Sequence, residues 1–121
     1  VEPLNRKIDM PGYLLSGSAE GMEVVEQADR DNVRLQYDVY HMQIMEGDLA
    51  RTIERLLPRI GHIQIADHPG RHEPGTGEIG YEWLLGRIDA LGYEGWVGCE
   101  YRPVAGTNEG LGWAAGYLTA A

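Results

Sequence analysis

The sequence predicts an α/β fold in which short strands alternate with helices around a parallel sheet. Apolar runs rich in β-forming residues occupy 33–37, 62–66 and 95–99, and segments with helical spacing lie between them. Strands that alternate with helices are typical of βαβ units, whose parallel strands are buried on both faces by the helices. We therefore expect one parallel sheet covered by helices, with no internal domain boundary.

Four segments carry apolar residues at the three- and four-residue spacing of a helix face. These residues are Ala19, Met22, Val25 and Ala28; Leu49, Ile53, Leu56 and Leu57; Leu84, Leu85, Ile88 and Leu91; and, after Thr107, Leu111, Ala115 and Leu118. Asp48 is predicted as the N-cap of the second helix, and Gly92 as the residue that follows the end of the third.

The first residues, Val1-Glu2-Pro3, resemble the end of a strand whose apolar beginning is absent. Counting this stub, the chain contains four βα units, half of an eight-unit barrel that typically needs about 250 residues. An open half-barrel would expose two strand edges and an apolar face. The expectation is a fragment of a longer enzyme, with the N-terminal half-barrel missing, or a homo-oligomer that covers the opening.

Composition excludes several classes of protein. The chain has 121 residues, 43% of them hydrophobic, which is typical of a folded globular domain. No apolar run approaches the roughly 20 residues of a membrane span. The single cysteine, Cys99, cannot form an internal disulfide, so a cytoplasmic location is expected. A formal net charge of −9 disfavours nucleic acid as a partner, because phosphate backbones are bound by clustered Lys and Arg.

The four strand ends carry side chains with oxygen atoms: Glu2, Asp38, Gln64 and Glu100. In a barrel the carboxyl ends of the strands form the active-site face. Carboxylates that converge in a low-dielectric pocket repel one another, and a divalent cation relieves that repulsion. All-oxygen ligands favour Mg²⁺ or Mn²⁺ over zinc. Each acidic residue taken alone is more simply a cap or a loop hydrogen-bonding group. Gln64 is the most informative, since an amide within an apolar strand costs free energy unless it is hydrogen-bonded or ligated.

Four segments carry a family resemblance: VEPLNRKIDMPGY, QYDVYHMQIMEGDL, GHIQIADHPGRHEPGTGEIGY and GYEGWVGCEYRP. They resemble the C-terminal half of the hydroxypyruvate isomerase family, within the xylose-isomerase-like TIM barrel superfamily. The resemblance implies that residues 1–121 run from the end of strand 5 to helix 8 of a (β/α)₈ barrel. It also implies an intramolecular oxidoreductase that interconverts hydroxypyruvate, a small hydroxy-keto acid, and tartronate semialdehyde.

The resemblance further implies a divalent metal held by the positions that match here as Glu2, Asp38, Gln64 and Glu100, with Glu2 and Glu100 as the paired acid and base. Isomerisation through an enediol needs a polarised carbonyl and a positioned proton carrier on each side. Asp38 and Gln64 would mainly fix the metal.

Two residues are candidates for substrate binding. His41 lies three residues after Asp38, where a histidine contacts substrate in related sugar epimerases; the alternative is a structural histidine in the barrel rim. Arg71 could bind the substrate carboxylate, because a guanidinium matches a carboxylate bidentately. The alternative for Arg71 is a solvated loop arginine.

Several sequence features bear on functions other than hydroxypyruvate isomerisation. Gly75-Thr76-Gly77-Glu78-Ile79-Gly80 fits the G-x-G-x-x-G pattern of dinucleotide enzymes, but a polar loop separates it from the preceding strand, which disfavours that function. Sugar epimerases usually carry histidine where Gln64 stands, and DNA-repair endonucleases of this barrel type use a histidine-rich metal cluster that the sequence lacks. A 2-oxotetronate isomerase and an inactive half-barrel fragment remain open.

Overall fold

The computed structural model describes residues 1–117, which form a three-stranded parallel sheet flanked by helices. Strands β1 (Leu35–Asp38), β2 (Ile60–Ile65) and β3 (Val97–Cys99) lie side by side in that order. In the register of the sheet, Asp38 pairs with Gln64, and Gln64 pairs with Gly98. The α/β class and the parallel sheet are confirmed, and the carboxyl ends of the strands meet at one edge.

Four α-helices pack against the sheet: α1 (Ser18–Ala28), α2 (Val39–Met45), α3 (Leu49–Leu56) and α4 (Tyr81–Ala90). Three of them, α1, α3 and α4, confirm the helices expected from apolar spacing. Short 3₁₀ helices follow at Leu57–Arg59 and Glu109–Gly116. Among the described residues, no helix is long and apolar enough to cross a membrane.

The last expected helix is present over Glu109–Gly116, as a 3₁₀ helix rather than an α-helix. Glycines at 110, 112 and 116 weaken the α-helix, since glycine is the poorest helix former after proline. Leu118, which the expectation included, lies outside the described residues.

Of the two predicted caps, Gly92 is confirmed and Asp48 is confirmed in position only. Gly92 has φ of 76°, the left-handed conformation expected after the end of α4. Asp48 does occupy the N-cap position of α3, but its side chain makes no capping bond there. Its Oδ1 instead accepts a hydrogen bond from Arg51 Nε at 3.0 Å. The position of this cap was predicted correctly and its bonding was not.

The N-terminal residues lie alongside β1 as the end of a strand would. The Val1 amine donates to the Arg34 carbonyl at 2.9 Å, and the Gln36 amide donates to the Val1 carbonyl at 2.8 Å. These two bonds are those of a parallel ladder centred on Leu35. They place Glu2 at the same edge of the sheet as Asp38, although no strand is assigned to the first residues.

The core lies between the sheet and α2, α3 and α4. It contains the side chains of the strands that face the helices and the apolar face of each helix: Leu35, Tyr37, Ile63, Ile65, Val39, Met42, Ile53, Leu84 and Ile88, each less than 5% exposed. Because β1 and β2 are anchored by this core, the polar residues at their carboxyl ends are held by rigid elements.

Candidate active site

The candidate site begins with Asp38, which ends β1 and caps α2. Its Oδ1 accepts a hydrogen bond from the His41 amide at 3.0 Å, and the residue is only 1% exposed. Burial raises the pKa of Asp38 to about 7, and the negative charges of Glu2 and Glu100 add to that shift. A carboxylate this strongly disfavoured in its charged form is stabilised by a nearby cation.

Glu2 lies next to Asp38, at the end of the segment paired with β1. Burial raises the pKa of Glu2 as well, and the charge of Glu100 adds to the effect. Glu2, Asp38 and His41 each offer one potential ligand atom, and these atoms lie within 4.8 Å of one another. The two carboxylates form a compact acidic pair, and their donor atoms suit a hard divalent cation.

His41 belongs to this group by distance, but its hydrogen bonds favour a different role. Its Nδ1 accepts a hydrogen bond from the Asn5 backbone amide at 3.1 Å, so the neutral ring carries its proton on Nε2. Burial, with the positive charge of Arg71, lowers the pKa of His41 to about 4. A protonated Nε2 cannot bind a metal, and it lies 4.0 Å from Asp38 Oδ2. His41 therefore suits donation to an oxygen atom better than metal ligation.

Gln64 connects the other half of the site. Its Oε1 accepts from Gln36 Nε2 at 2.6 Å, and its Nε2 donates to Glu100 Oε2. Gln64 Oε1 keeps a second lone pair that could bind a metal. Both polar atoms of the Gln64 side chain thus have a hydrogen-bond partner, which offsets the free-energy cost of an amide within an apolar strand.

Arg71 reaches the site from the loop after β2. Its Nη2 lies 2.5 Å from Glu100 Oε2 and 3.5 Å from His41 Nε2, and its guanidinium carbon lies 5.0 Å from the centre of the Tyr40 ring. Arg71 and the protonated Nε2 of His41 therefore present N–H groups to the same space. Two converging donors of this kind form an arrangement that binds an anion or a polarised oxygen.

The structure gathers all six predicted site residues at one edge of the sheet. Glu2, Asp38 and His41 form one group, and Gln64, Arg71 and Glu100 are joined by hydrogen bonds. Their roles as ligands, acid, base and substrate contacts stay predictions. The side chains fit a divalent metal, because oxygens of Glu2, Asp38, Gln64 and Glu100 are hard donors. The buried carboxylate of Asp38 is also repelled by the charges of the partly buried Glu2 and the exposed Glu100 when no cation is present.

Two further residues belong to this network. Gln36 donates to Gln64 Oε1 at 2.6 Å, and its side chain also lies close enough to Glu2 to offset part of the rise in the pKa of that carboxyl. The sequence offered a signal for Gln36, since it lies two residues before Asp38 and so shares its face of β1. Asn5 follows Glu2 closely in the sequence, which makes it a candidate for the pocket; it is fully buried, and its contact with His41 joins residues 36 apart.

Comparison with known proteins identifies the family to which this fold belongs. A family model described as xylose isomerase-like TIM barrel matches residues 1–117. The chain is 50% identical to 2-oxo-tetronate isomerase of Cupriavidus necator over 98% of its length, and 46% identical to hydroxypyruvate isomerase of Escherichia coli over 97%. It is also similar to a crystal structure of an AP endonuclease, family 2, from Brucella melitensis, with 48% identity over 97% of the chain and a TM-score of 0.92.

In each of these three comparisons the chain spans 45% of the length of the other protein. The match nevertheless includes every residue of the candidate site, from Glu2 to Glu100. The chain belongs to the xylose isomerase-like TIM barrel family.

Proposed function

We propose that this chain forms the metal-binding half of a hydroxypyruvate isomerase, which interconverts hydroxypyruvate and tartronate semialdehyde through an enediol. The observation that carries the proposal is the convergence of paired carboxylates with the N–H groups of Arg71 and His41 at one sheet edge. The identity to relatives named for hydroxypyruvate and 2-oxo-tetronate isomerisation supports it.

We further propose that the chain acts within a closed barrel, as residues that run from the end of strand 5 to helix 8. In the described sheet the two outer strands, β1 and β3, each have one side without a strand partner, apart from the pairing of Val1 with β1. An N-terminal half-barrel or a second copy of the chain would cover them.

A divalent cation, Mg²⁺ or Mn²⁺, would be held by Glu2, Asp38, Gln64 and Glu100, and when bound it supplies a Lewis acid that polarises the substrate carbonyl. Asp38 is held in place within this set, because its carboxylate accepts the N-cap hydrogen bond of α2. Gln64, braced by Gln36, holds Glu100 in place through its amide.

Glu2 and Glu100 would move the protons. In the forward direction one carboxylate removes a proton from the hydroxymethyl carbon C3 of hydroxypyruvate, and the carbon C2 receives a proton in the second step. The hydroxyl proton at C3 leaves as the aldehyde forms, and the carbonyl oxygen at C2 gains one. A raised pKa suits Glu2 for this exchange, because proton transfer is most effective when the acid or base titrates nearer the working pH.

Arg71 and His41 would bind the rest of the substrate. The guanidinium pairs with the carboxylate next to the carbonyl, and the Nε2 proton of His41 donates to a substrate oxygen. A charged anchor of this kind favours a 2-oxo acid over a neutral sugar. It is the feature that separates the proposed substrate class from that of the structurally related sugar epimerases.

A second candidate, 2-oxotetronate isomerase, is favoured by the 50% identity to the Cupriavidus necator protein. Its substrate shares the carboxylate and the adjacent carbonyl and is one carbon longer, so the same residues would serve. Nuclease action is disfavoured, because a formal net charge of −9 opposes a polyanionic phosphate backbone. An inactive half-barrel is the other outcome, in which calorimetry shows no Mn²⁺ binding and neither acid turns over.

The test is to assay both acids with the active assembly that carries this chain, beside the variant Glu100→Gln. Loss of one catalytic carboxylate should lower kcat by at least about 100-fold. The matched control is Glu54→Gln, which removes a carboxylate paired with Arg87 on the surface. Substantial turnover by Glu100→Gln would remove Glu100 from the catalytic pair, and absence of turnover of either acid by the unmodified protein would reject the function.

A further inference from the structure

The loop between β2 and α4 is built around a buried carboxylate that the proposed chemistry does not use. Asp67 is 1% exposed, and both its oxygens accept hydrogen bonds from backbone amides. Oδ1 accepts from His68 at 2.9 Å and from Ile79 at 3.1 Å. Oδ2 accepts from Gly75 and Gly77, each at 2.9 Å. Four amides spread over twelve residues thus converge on one side chain.

The glycines that matched a phosphate-binding pattern are part of this arrangement. Gly75 and Gly77 do present amides to an anion, but the anion is the carboxylate of Asp67. A Cβ atom at Gly77 would lie 2.0 Å from the His68 carbonyl oxygen and 2.6 Å from Asp67 Oδ1, so only glycine allows the chain to pass this close. These amides are already bonded, which leaves them unable to cradle a dinucleotide.

Arg71 lies in the middle of the segment that Asp67 closes. The Asp67 amide donates to the His72 carbonyl at 2.8 Å, which folds residues 67–72 back on themselves. Arg71 has φ of 54°, a left-handed conformation that a long side chain adopts when its surroundings impose it. Its carbonyl accepts from the Arg102 amide at 2.8 Å. The backbone at Arg71 is therefore fixed from two directions.

We propose that Asp67 is a positioning residue, which holds the 67–79 loop in the conformation that brings the Arg71 guanidinium to Glu100 and His41. The role in turnover rests on the proposed isomerase function, whereas the control of Arg71 by Asp67 does not. The carboxylate is too buried and too fully bonded to touch substrate. It acts by fixing where a guanidinium meets a small 2-oxo acid.

The variant Asp67→Asn separates this role from overall folding. It preserves the size of the side chain, but the new amide group would face two backbone N–H donors in either orientation, and two of the four hydrogen bonds would be lost. Arg71, with a side chain only 19% exposed, should then react faster with phenylglyoxal, by about tenfold, when the modified peptide is measured by mass spectrometry. Asp48→Asn, which removes an equal charge from the surface, should leave the rate unchanged.

A second variant disturbs the loop and keeps the carboxylate. Gly77→Ala forces the Cβ against the His68 carbonyl, whereas Gly80→Ala is the matched control because nothing lies within 4 Å of its Cβ. Gly77→Ala should raise the reactivity of Arg71 as Asp67→Asn does, and Gly80→Ala should not. If Asp67→Asn fails to fold, this pair still decides the proposal.

Kinetics with hydroxypyruvate and 2-oxotetronate complete the test. Asp67→Asn should raise KM by about tenfold with kcat largely retained, the pattern of lost ground-state binding. Added to Arg71→Ala, it should have no further effect on KM, because it acts through the same group. Multiplicative effects, or an Arg71 reactivity that neither loop variant changes, would overturn the proposal. Faster Arg71 modification in a protein that turns over neither acid would support the positioning role and reject the isomerase function.

Discussion

Gly21 in α1 packs closely against Pro3, the residue that follows Glu2. A Cβ atom there would lie 2.7 Å from Pro3 Cγ and 2.9 Å from Leu35 Cδ1, closer than carbon atoms pack. Overpacking of this kind costs about 1–3 kcal/mol, while alanine gains about 1 kcal/mol over glycine in a helix interior. The variant Gly21→Ala should therefore have a free energy of unfolding up to about 2 kcal/mol lower than that of the unmodified protein.

The matched control is Gly86→Ala in α4, where nothing lies within 4 Å of the added Cβ. It should raise the free energy of unfolding by about 1 kcal/mol through helix propensity alone. Urea unfolding of the two variants should thus differ by about 1–3 kcal/mol, and that difference isolates the contact with Pro3. Equal stability of the two variants would show that α1 does not press on the segment that carries Glu2. A shift of Pro3 should also weaken Mn²⁺ binding in Gly21→Ala and not in Gly86→Ala.

Three other predictions address the metal, the substrate and the core. Asp38→Asn keeps the oxygen that caps α2 but loses the negative charge. Calorimetry should therefore show an Mn²⁺ affinity lowered by more than about 100-fold. An affinity equal to that of the control variant Asp48→Asn would exclude Asp38 as a ligand. Arg71→Lys keeps the charge and loses the planar fork, so KM for hydroxypyruvate should rise by about tenfold, and an unchanged KM would remove Arg71 from the binding site. Tyr81→Phe removes a buried hydrogen bond to the Ala66 carbonyl and should cost about 1–2 kcal/mol in thermal or urea unfolding; no loss of stability would show that the Ala66 carbonyl finds another partner.

Much of the architecture follows from local features of the sequence. Apolar runs that end at Asp38 and Glu100 mark strand ends, and the alternation of strands with helices requires parallel pairing. Parallel strands align their carboxyl ends, so Asp38, Gln64 and Glu100 were bound to meet once the fold class was known. The amide of Gln64 was informative for a different reason, because a polar group inside an apolar strand needs a hydrogen-bond or metal partner.

The helix α2 was not predicted, because it follows β1 without a loop. Val39, Tyr40, His41 and Met42 are all buried, so the segment has no polar face that would reveal a helical period. Its signal was Asp38 itself, whose carboxylate accepts from the amide three residues ahead as an N-cap does. Asp38 therefore begins a helix, as the alternative of a capping residue allowed, and lies in the candidate metal site as well.

The finer structure of the site depends on contacts that the sequence does not specify locally. Asn5 fixes the proton of His41 across 36 residues, and Asp67 binds the amides of Gly75 and Gly77 from eight and ten residues away. Such contacts depend on how loops close after the sheet has formed. The glycine pattern shows most clearly what sequence alone does not decide. The spacing of Gly75 and Gly77 suits a bound phosphate, but here their amides bind the carboxylate of Asp67.

The most direct test of the central claim is the turnover of hydroxypyruvate after the divalent metal has been removed by a chelator and then restored. The carboxylates and the amide at the strand ends predict that turnover falls to background on chelation and returns with Mn²⁺ or Mg²⁺. Turnover that continues unchanged in the stripped protein would contradict the claim that these residues form a metal-dependent isomerase site.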